Sequence, residues 1–299
     1  MAVSQSALDP REILRKVRRV EISTRGLVDE VFSGQYHSVF KGRGMDFAEV
    51  REYQFGDDVR SIDWNVTARV GSPFVKVLEE ERELTMMLVV DVSASGNFGT
   101  RERMKAELAI EISALLAFSA IRNNDKVGLI VFSDEIEKFV PPRKGRRHAL
   151  RVVRELVFHK PRARSTDIAG ALEYLNRVQR KRAVAFFVSD FNGQGFGRPL
   201  AVAARRHDLI TVRVGDARER DLPPLGFLEL EDPETGERIV VNTSSGRFRD
   251  AFSHTVRARR ERLDDELRRS GVDLIDIETG GSYVEPLRRF FRERIRRLR

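Results

Sequence analysis

Side chains that carry hydroxyl or carboxylate oxygens stand at three places where an apolar segment ends or a helical pattern begins. Asp91, Ser93 and Ser95 follow one apolar segment, Asp190 follows another, and Thr166 begins a helical pattern. These five residues offer only oxygen ligands, the kind that Mg²⁺ and Mn²⁺ take in proteins. The spacing Asp91-x-Ser93-x-Ser95 also lets one loop surround an ion from one side. The pattern therefore predicts a site for a divalent cation.

Each of the three places also has an ordinary structural interpretation. Asp and Ser directly after a strand are typical of turns, and so is the run of Asp190, Asn192 and Gly193. Thr166 at a helix start is typical of an N-cap. The cation site therefore depends on whether the elements that carry these residues bring them to one edge of the fold.

The elements indicated by the sequence alternate between apolar strands and helices. Strands are expected at 84–90, 127–132, 183–188, 209–214 and 272–277, with a short one at 135–140 stopped by Pro141 and Pro142. Helices are expected at 102–122, 146–158, 166–181, 199–206 and 247–269, and a hairpin at 227–241. The helix at 102–122 is expected to turn Met104 inward together with Leu108 and Ile112.

This alternation predicts an α/β fold with a doubly wound, mostly parallel sheet. In such a sheet ligands collect at the carboxyl ends of the strands, where Asp91 and Asp190 stand. We expect three segments: an N-terminal helical and irregular extension at 1–83, the α/β domain at 84–280, and a basic C-terminal helix at 281–299. Within the extension, helices are expected between residues 10 and 32, and a strand at 73–83 that leads into the core.

Composition excludes several classes of protein. The 299 residues include no cysteine, which excludes disulfides, thiolate zinc sites, iron–sulfur clusters and cysteine nucleophiles. The sequence has neither a run of about 20 predominantly apolar residues nor the apolar core of a signal peptide, so we expect a cytoplasmic protein. A phosphate-binding loop of the G-x-x-x-x-G-K-[ST] type is also absent from the sequence, which argues against ATP hydrolysis by this chain.

The net charge of +8 comes from two basic segments. Residues 140–164 hold nine Lys or Arg and one Glu, and residues 285–299 hold seven Arg and two Glu, so the rest of the chain is slightly acidic. The first segment leads into the loop that holds Thr166. Its cations are either a solvated helix face or a surface that steers an acidic protein partner towards the cation. The candidates are Arg143, Lys144, Arg146, Arg147, Arg162 and Arg164.

Two other segments leave alternatives open. The C-terminal helix has an apolar stripe that either docks onto the domain or contacts a membrane surface. The segment 56–69 mixes acidic residues with arginines around Trp64, which we expect to be an apolar anchor. Its charges either pair with one another or shape a groove for a partner.

The pattern Asp91-x-Ser93-x-Ser95, then Thr166, then Asp190 resembles the metal-ion-dependent adhesion site (MIDAS) of von Willebrand factor A (vWA) domains. The resemblance implies that Ser93, Ser95 and Thr166 bind the metal directly. It also implies that Asp91 and Asp190 act largely through water.

The resemblance extends to a family over about residues 24–291. The segments 41–44, 47–53, 56–64, 68–69, 79–83, 232–236 and 283–286 resemble the signature of the domain-of-unknown-function 58 (DUF58) family. Members are often encoded beside MoxR-type AAA+ ATPases, which are thought to act as chaperones in assembling or activating other proteins. The resemblance therefore implies a vWA-like fold and such an ATPase, or its client, as partner.

Together these observations favour a non-enzymatic protein-interaction module that binds Mg²⁺ or Mn²⁺. A Glu or Asp of the partner would complete the metal site. Two alternatives stay open, a Mg²⁺-dependent phosphatase-like hydrolase and a basic nucleic-acid-binding protein. A phosphatase of the aspartate-nucleophile type usually has a second Asp two residues after the first, where this chain has Ser93, and a lysine in the site.

Overall fold

A computed structural model describes residues 44–81, 84–99 and 104–298. The helices predicted between residues 10 and 32 lie outside these ranges. The described chain forms two compact units, a small one that ends at Leu84 and a large one that begins at Thr85.

The small unit is a two-stranded antiparallel sheet with a short helical connection. Strand β1 (Gly44–Glu52) pairs with β2 (Phe74–Glu81), and helix α1 (Trp64–Val70) lies between them in the chain. The Asp63 carboxylate caps the start of α1, and Gly71 ends the helix with a φ of +83°. The strand expected at 73–83 is present, but its hydrogen-bonding partner is β1.

The mixed charges of the small unit serve local structure. Arg51 donates two hydrogen bonds to Asp57, at 2.8 and 2.7 Å, while Asp58 and Asp63 accept from backbone N–H groups at helix starts. Trp64 is 67% exposed, so the expectation that it is an apolar anchor is wrong. The reason is its place as the first residue of a seven-residue helix that buries none of its side chains.

The large unit is built on a six-stranded sheet in the order β10-β7-β6-β3-β4-β5. The first five are parallel and β5 is antiparallel. This confirms the predicted α/β class with a mostly parallel sheet. The strands are β3 (Thr85–Asp91), β4 (Lys126–Phe132), β5 (Ile136–Arg143), β6 (Val184–Ser189), β7 (Asp208–Gly215) and β10 (Asp273–Glu278).

Helices cover both faces of this sheet. In β3, residues 86–90 are all buried, as expected for a strand with a helix layer on each side. Met87 and Val89 share one cluster with Leu172 and Leu175 of α4. The helices are α2 (Lys105–Arg122), α3 (Arg146–Val157), α4 (Ile168–Val178), α5 (Gly197–Arg206), α6 (Gly246–Arg269) and α7 (Val284–Leu298). The predicted hairpin is formed by β8 (Phe227–Glu231) and β9 (Arg238–Asn242).

Two expectations about element ends are wrong, for identifiable reasons. Strand β5 continues through Pro141 and Pro142 to Arg143, because it is an edge strand and the two prolines lie at an irregularity in its pairing with β4, opposite Gly128. Helix α4 begins at Ile168 with Asp167 as N-cap, since the Asp167 carboxylate accepts from the Gly170 N–H. The Thr166 hydroxyl is thus not the cap of that helix.

The C-terminal helix α7 docks onto the large unit. Leu287 and Phe291 are fully buried, and Arg294 donates to Asp208 at 2.5 Å and to Asp273 at 3.0 Å. Of the two alternatives for its apolar stripe, docking is confirmed. Across the described residues, none of the helices combines the length and the apolar character needed to cross a membrane.

His207 provides a test of how the large unit responds to acid. The residue is 1% exposed at the end of α5, and neither ring nitrogen has a hydrogen-bond partner among the described residues. Burial, with the nearby Arg206 and Arg182, lowers its pKa from 6.5 to about 4. Between pH 6.5 and about pH 4, His207 is protonated in the unfolded chain but neutral in the folded chain. The free energy of unfolding therefore falls as the pH falls.

At about 1.4 kcal/mol per pKa unit, this loss reaches about 3 kcal/mol by pH 4. We expect His207→Leu to remove that part of the pH dependence, measured by urea unfolding between pH 7 and pH 4. The control is His254→Leu on the exposed side of α6. Equal pH dependence in wild type and His207→Leu would contradict the assignment.

Candidate metal site

The candidate site lies at the topological switch point of the sheet. Strand β3 is central, with β4 on one side and β6 on the other, so the chain reverses its direction of winding between β3 and β6. Asp91 ends β3, and Asp190 directly follows β6. The fold therefore brings these two carboxylates to the crevice where open α/β sheets bind ligands.

Asp91 is held by hydrogen bonds to both of its carboxylate oxygens. Oδ1 accepts from the Ser93 N–H at 2.9 Å, and Oδ2 accepts from the Ser189 hydroxyl at 2.7 Å. Burial and the nearby Asp190 carboxylate raise the pKa of Asp91 to about 6. This carboxylate is thus already satisfied by protein donors and orients the loop that follows it.

The two serines face each other in the same cavity. Ser93 Oγ lies 3.0 Å from Ser95 Oγ, and both residues are almost fully buried. The cavity, of about 20 Å³, is lined by these serines, Asp91, Asp190 and a lysine. This volume suits one water-sized or ion-sized occupant.

The lysine of the cavity is Lys105, which the sequence analysis did not single out. Its ammonium donates to Asp190 Oδ2 at 2.9 Å and to Glu219 Oε1 at 2.5 Å, and the residue is 2% exposed. Burial disfavours the charged ammonium, but the carboxylates of Asp190 and Glu219 outweigh it and hold the pKa of Lys105 above its ordinary value.

A signal for Lys105 was present in the helical periodicity. Lys105 lies three residues before Leu108 and seven before Ile112, on the buried face of α2. The prediction instead placed Met104 on that face, but Met104 is 48% exposed. Because a cation at a helix N-terminus is unfavourable to the helix dipole, a lysine there on an apolar face indicates a buried acidic partner.

The loop between helices α3 and α4 carries Thr166 to the site. The Ala94 N–H donates to the Arg164 carbonyl at 3.0 Å, and the Asp167 N–H donates to the Ser133 carbonyl at 2.7 Å. Upstream, the Glu137 carboxylate accepts from the Arg162 N–H, which fixes the start of the loop.

The Thr166 hydroxyl donates to a residue that the sequence analysis had also missed. Its acceptor is Glu234 Oε1, at 3.5 Å, on the turn between β8 and β9. Burial and the carboxylates of Asp190 and Asp232 raise the pKa of Glu234. The five predicted site residues thus come to one edge of the sheet, joined there by Lys105, Glu219 and Glu234.

The basic residues proposed to bind a partner do not all lie at the same end of the strands. Arg143 pairs with Val127 at the start of β4, whereas Asp91 pairs with Phe132 at its end. Five residue steps separate these positions, about 17 Å along the strand. Arg143 therefore does not flank the site, and Lys144, Arg146 and Arg147 follow it closely in the chain. That some of the basic residues steer a partner stays a prediction. Only Arg162 and Arg164 belong to the loop at the site edge.

The donor set fits a small hard cation. Neighbouring ligands of octahedral Mg²⁺, with bonds of 2.0–2.1 Å, lie about 3.0 Å apart. The two serine hydroxyl oxygens have this separation. Asp91 and Asp190 already accept hydrogen bonds, as expected for carboxylates that act through water. Within the described ranges, no three His, Asp or Glu residues are grouped so as to hold a metal, so a site there depends on hydroxyl ligands.

Comparison with known families agrees with the sequence signature. A family model described as "Protein of unknown function DUF58" matches residues 49–262. The chain belongs to the DUF58 family. The uncharacterized protein Rv1480 of Mycobacterium tuberculosis is 33% identical over 294 residues, covering 97% of this chain and 92% of the relative. The uncharacterized protein YeaD of Bacillus subtilis is 28% identical over 109 residues, 36% of this chain and 25% of the relative.

Several solved structures resemble this DUF58 chain. The conserved hypothetical protein BatB from Bacteroides thetaiotaomicron has a TM-score of 0.48 at 16% identity, covering 71% of this chain and 99% of that one. The SpRpn10 VWA domain has a TM-score of 0.37 at 12% identity, covering 69% and 93%. At these identities the likenesses concern the fold and say nothing of what the chain binds.

The ion triad around Lys105 gives a testable prediction. Lys105→Met leaves the buried Asp190 carboxylate and the partly exposed Glu219 carboxylate without their ammonium partner, which costs about 3 kcal/mol in free energy of unfolding. Urea unfolding at pH 7 measures this loss. The matched control is Arg147→Met, an exposed cation on α3, for which we expect a change under about 0.5 kcal/mol. Equal effects of the two substitutions would show that the triad does not stabilise the fold.

Proposed function

We propose that this DUF58 chain is a non-enzymatic protein-interaction module that binds Mg²⁺ or Mn²⁺ at the candidate site. The observation that carries the proposal is the pair of buried serine hydroxyls, 3.0 Å apart between two carboxylates at the switch point of the sheet. Ser93, Ser95 and Thr166 hold the cation. When bound, it supplies an electrophilic position that accepts a carboxylate oxygen.

The residues around the site have distinct tasks in this proposal. Asp91 fixes the loop of the two serines through the Ser93 N–H and is itself fixed by Ser189. Lys105 binds Asp190 and so neutralises part of the negative charge of that carboxylate. The site is therefore short of negative charge and receptive to an acidic partner. Arg162 and Arg164, on the loop at the same edge, steer that partner by charge.

The partner is a protein that presents a Glu or Asp. The family resemblance favours a MoxR-type AAA+ ATPase, or a client of that ATPase, and an adaptor role in assembling or activating other proteins. The chain would act in the cytoplasm, the compartment of such an ATPase.

Metal binding is tested on the hydroxyl ligands. We expect Mg²⁺ and Mn²⁺ to raise the melting temperature of the wild type, and a concentration of 100 times Kd to add about 2.7 kcal/mol to its free energy of unfolding. Thr166→Val and Ser95→Ala each remove a ligand and should weaken binding at least tenfold in titration calorimetry. Ser165→Ala is the matched control and should bind normally. If neither cation binds the wild type, the proposal fails.

Partner recruitment uses the same variants. A tagged wild-type chain should recover the ATPase or its client from the native cell without EDTA and lose it with EDTA. Ser165→Ala should behave as the wild type does, and Thr166→Val should recover nothing in either condition. Recovery that is insensitive to EDTA would show that the metal does not mediate the contact.

One observation favours a second candidate function, the phosphatase-like hydrolase. The Lys105 ammonium lines the same cavity as Asp91, as a lysine does beside an aspartate nucleophile. Against it, both Asp91 oxygens accept hydrogen bonds from Ser93 and Ser189, and position 93 is not a second Asp. We therefore expect no Mg²⁺-dependent hydrolysis of p-nitrophenyl phosphate. Turnover that disappears in Asp91→Asn would establish the hydrolase instead.

A further inference from the structure

The tip of the β8–β9 hairpin lies against the loop that carries Thr166. Two contacts define this. The Thr166 hydroxyl donates to Glu234 Oε1 at 3.5 Å. Arg164 Nη1 would lie 3.4 Å from a Cβ atom at position 236, so the arginine is next to Gly236. A segment about 70 residues distant in sequence therefore reaches the candidate site, which otherwise consists of the ends of β3 and β6 and the 164–166 loop.

The turn that carries Glu234 is fixed by its own hydrogen bonds. Asp232 Oδ1 accepts from the N–H groups of Glu234 at 2.8 Å and Thr235 at 3.4 Å. The Gly236 N–H donates to the Asp232 carbonyl at 2.7 Å, and Gly236 has a φ of +74°, which a residue with a side chain rarely adopts. The backbone position of Glu234 is thus set by the turn itself, and from there its side chain contacts Thr166.

The charges around Glu234 are mixed, with repulsion dominant. The carboxylates of Asp190 and Asp232 repel it and Arg259 attracts it, and burial with the repulsion outweighs that attraction and raises the pKa of Glu234. Among the described residues, no Lys or Arg lies within ion-pair distance of Glu234, and Lys105 is already bound to Asp190 and Glu219. The turn therefore holds a carboxylate near two others, with its oxygen 3.5 Å from the hydroxyl of Thr166.

We propose that Glu234 is a further residue of the cation site, an internal carboxylate that takes the position of the partner's carboxylate until the partner replaces it. This inference rests on the proposed function, because it requires the cation held by Ser93, Ser95 and Thr166. Adjacent ligands of Mg²⁺ lie about 3.0 Å apart, so an oxygen 3.5 Å from Thr166 Oγ1 needs only a small shift to become a neighbouring ligand.

The position of Glu234 limits the kind of partner that can bind. A partner must offer a carboxylate that competes with Glu234, and its binding moves the hairpin tip off the 164–166 loop. Arg164 lies beside Gly236 and is itself exposed, so it can pair with the partner's acidic surface when the hairpin tip moves. The hairpin tip thus selects acidic partners over neutral ones.

The test measures Mn²⁺ alone on the full chain. Glu234→Gln keeps the size of the side chain and an oxygen for Thr166, but lacks the charge that a cation needs. We expect Mn²⁺ affinity to fall five- to tenfold in titration calorimetry. Proton relaxation of Mn²⁺-bound water should rise in the variant, because a water replaces the carboxylate. The matched control is Glu237→Gln on the same turn, which should leave both quantities unchanged.

A second measurement follows the hairpin itself. Amide hydrogen exchange at residues 232–236 should slow when Mn²⁺ is added to the wild type and to Glu237→Gln, and should not respond in Glu234→Gln. If the wild type binds Mn²⁺ but Glu234→Gln matches it in affinity, bound water and exchange, the role of Glu234 is refuted and the metal-binding function stands. If the wild type binds no Mn²⁺, both proposals fall together.

Discussion

Two carboxylates, Asp91 and Asp190, share a small buried cavity at the ends of adjacent parallel strands. The surrounding structure offsets their mutual repulsion. Asp91 is supplied with two hydrogen-bond donors, and Asp190 with the Lys105 ammonium. The ammonium is in turn shared with Glu219. Removing carboxylates from water is costly unless such partners are built in, so the edge of the sheet is organised around their charge.

The site edge is assembled from parts that are distant in the chain. The 164–166 loop is tied to the serine loop by one backbone hydrogen bond, between Ala94 and Arg164. The β8–β9 turn then reaches Thr166 through Glu234. Of the ionisable groups at this edge, Asp91, Asp190, Glu219 and Glu234 are acidic, and Lys105, Arg162 and Arg164 are basic.

Prediction from the sequence succeeded where a single local rule decides the structure. Five parallel strands were placed to within about one residue. The central strands β3, β4 and β6 are buried apolar runs, whereas β7 and β10 carry polar residues but keep buried apolar positions among them. Prediction failed where the position of an element in the sheet decides its structure. The edge position of β5 allows Pro141 and Pro142 to stay in the strand, and the antiparallel direction of β5 carries Arg143 to the edge opposite the site. Neither fact is visible in the local pattern.

The sequence by itself determined the fold class, the family and the five oxygen-bearing residues, because apolar periodicity and the spacing Asp91-x-Ser93-x-Ser95 are properties of short segments. Only the tertiary structure decided which charges surround those residues. Lys105, Glu219 and Glu234 come from a helix, a loop and a hairpin that meet at the site solely through strand order and packing. Electrostatic energy depends on distance in space, which the separation of residues along the chain does not give.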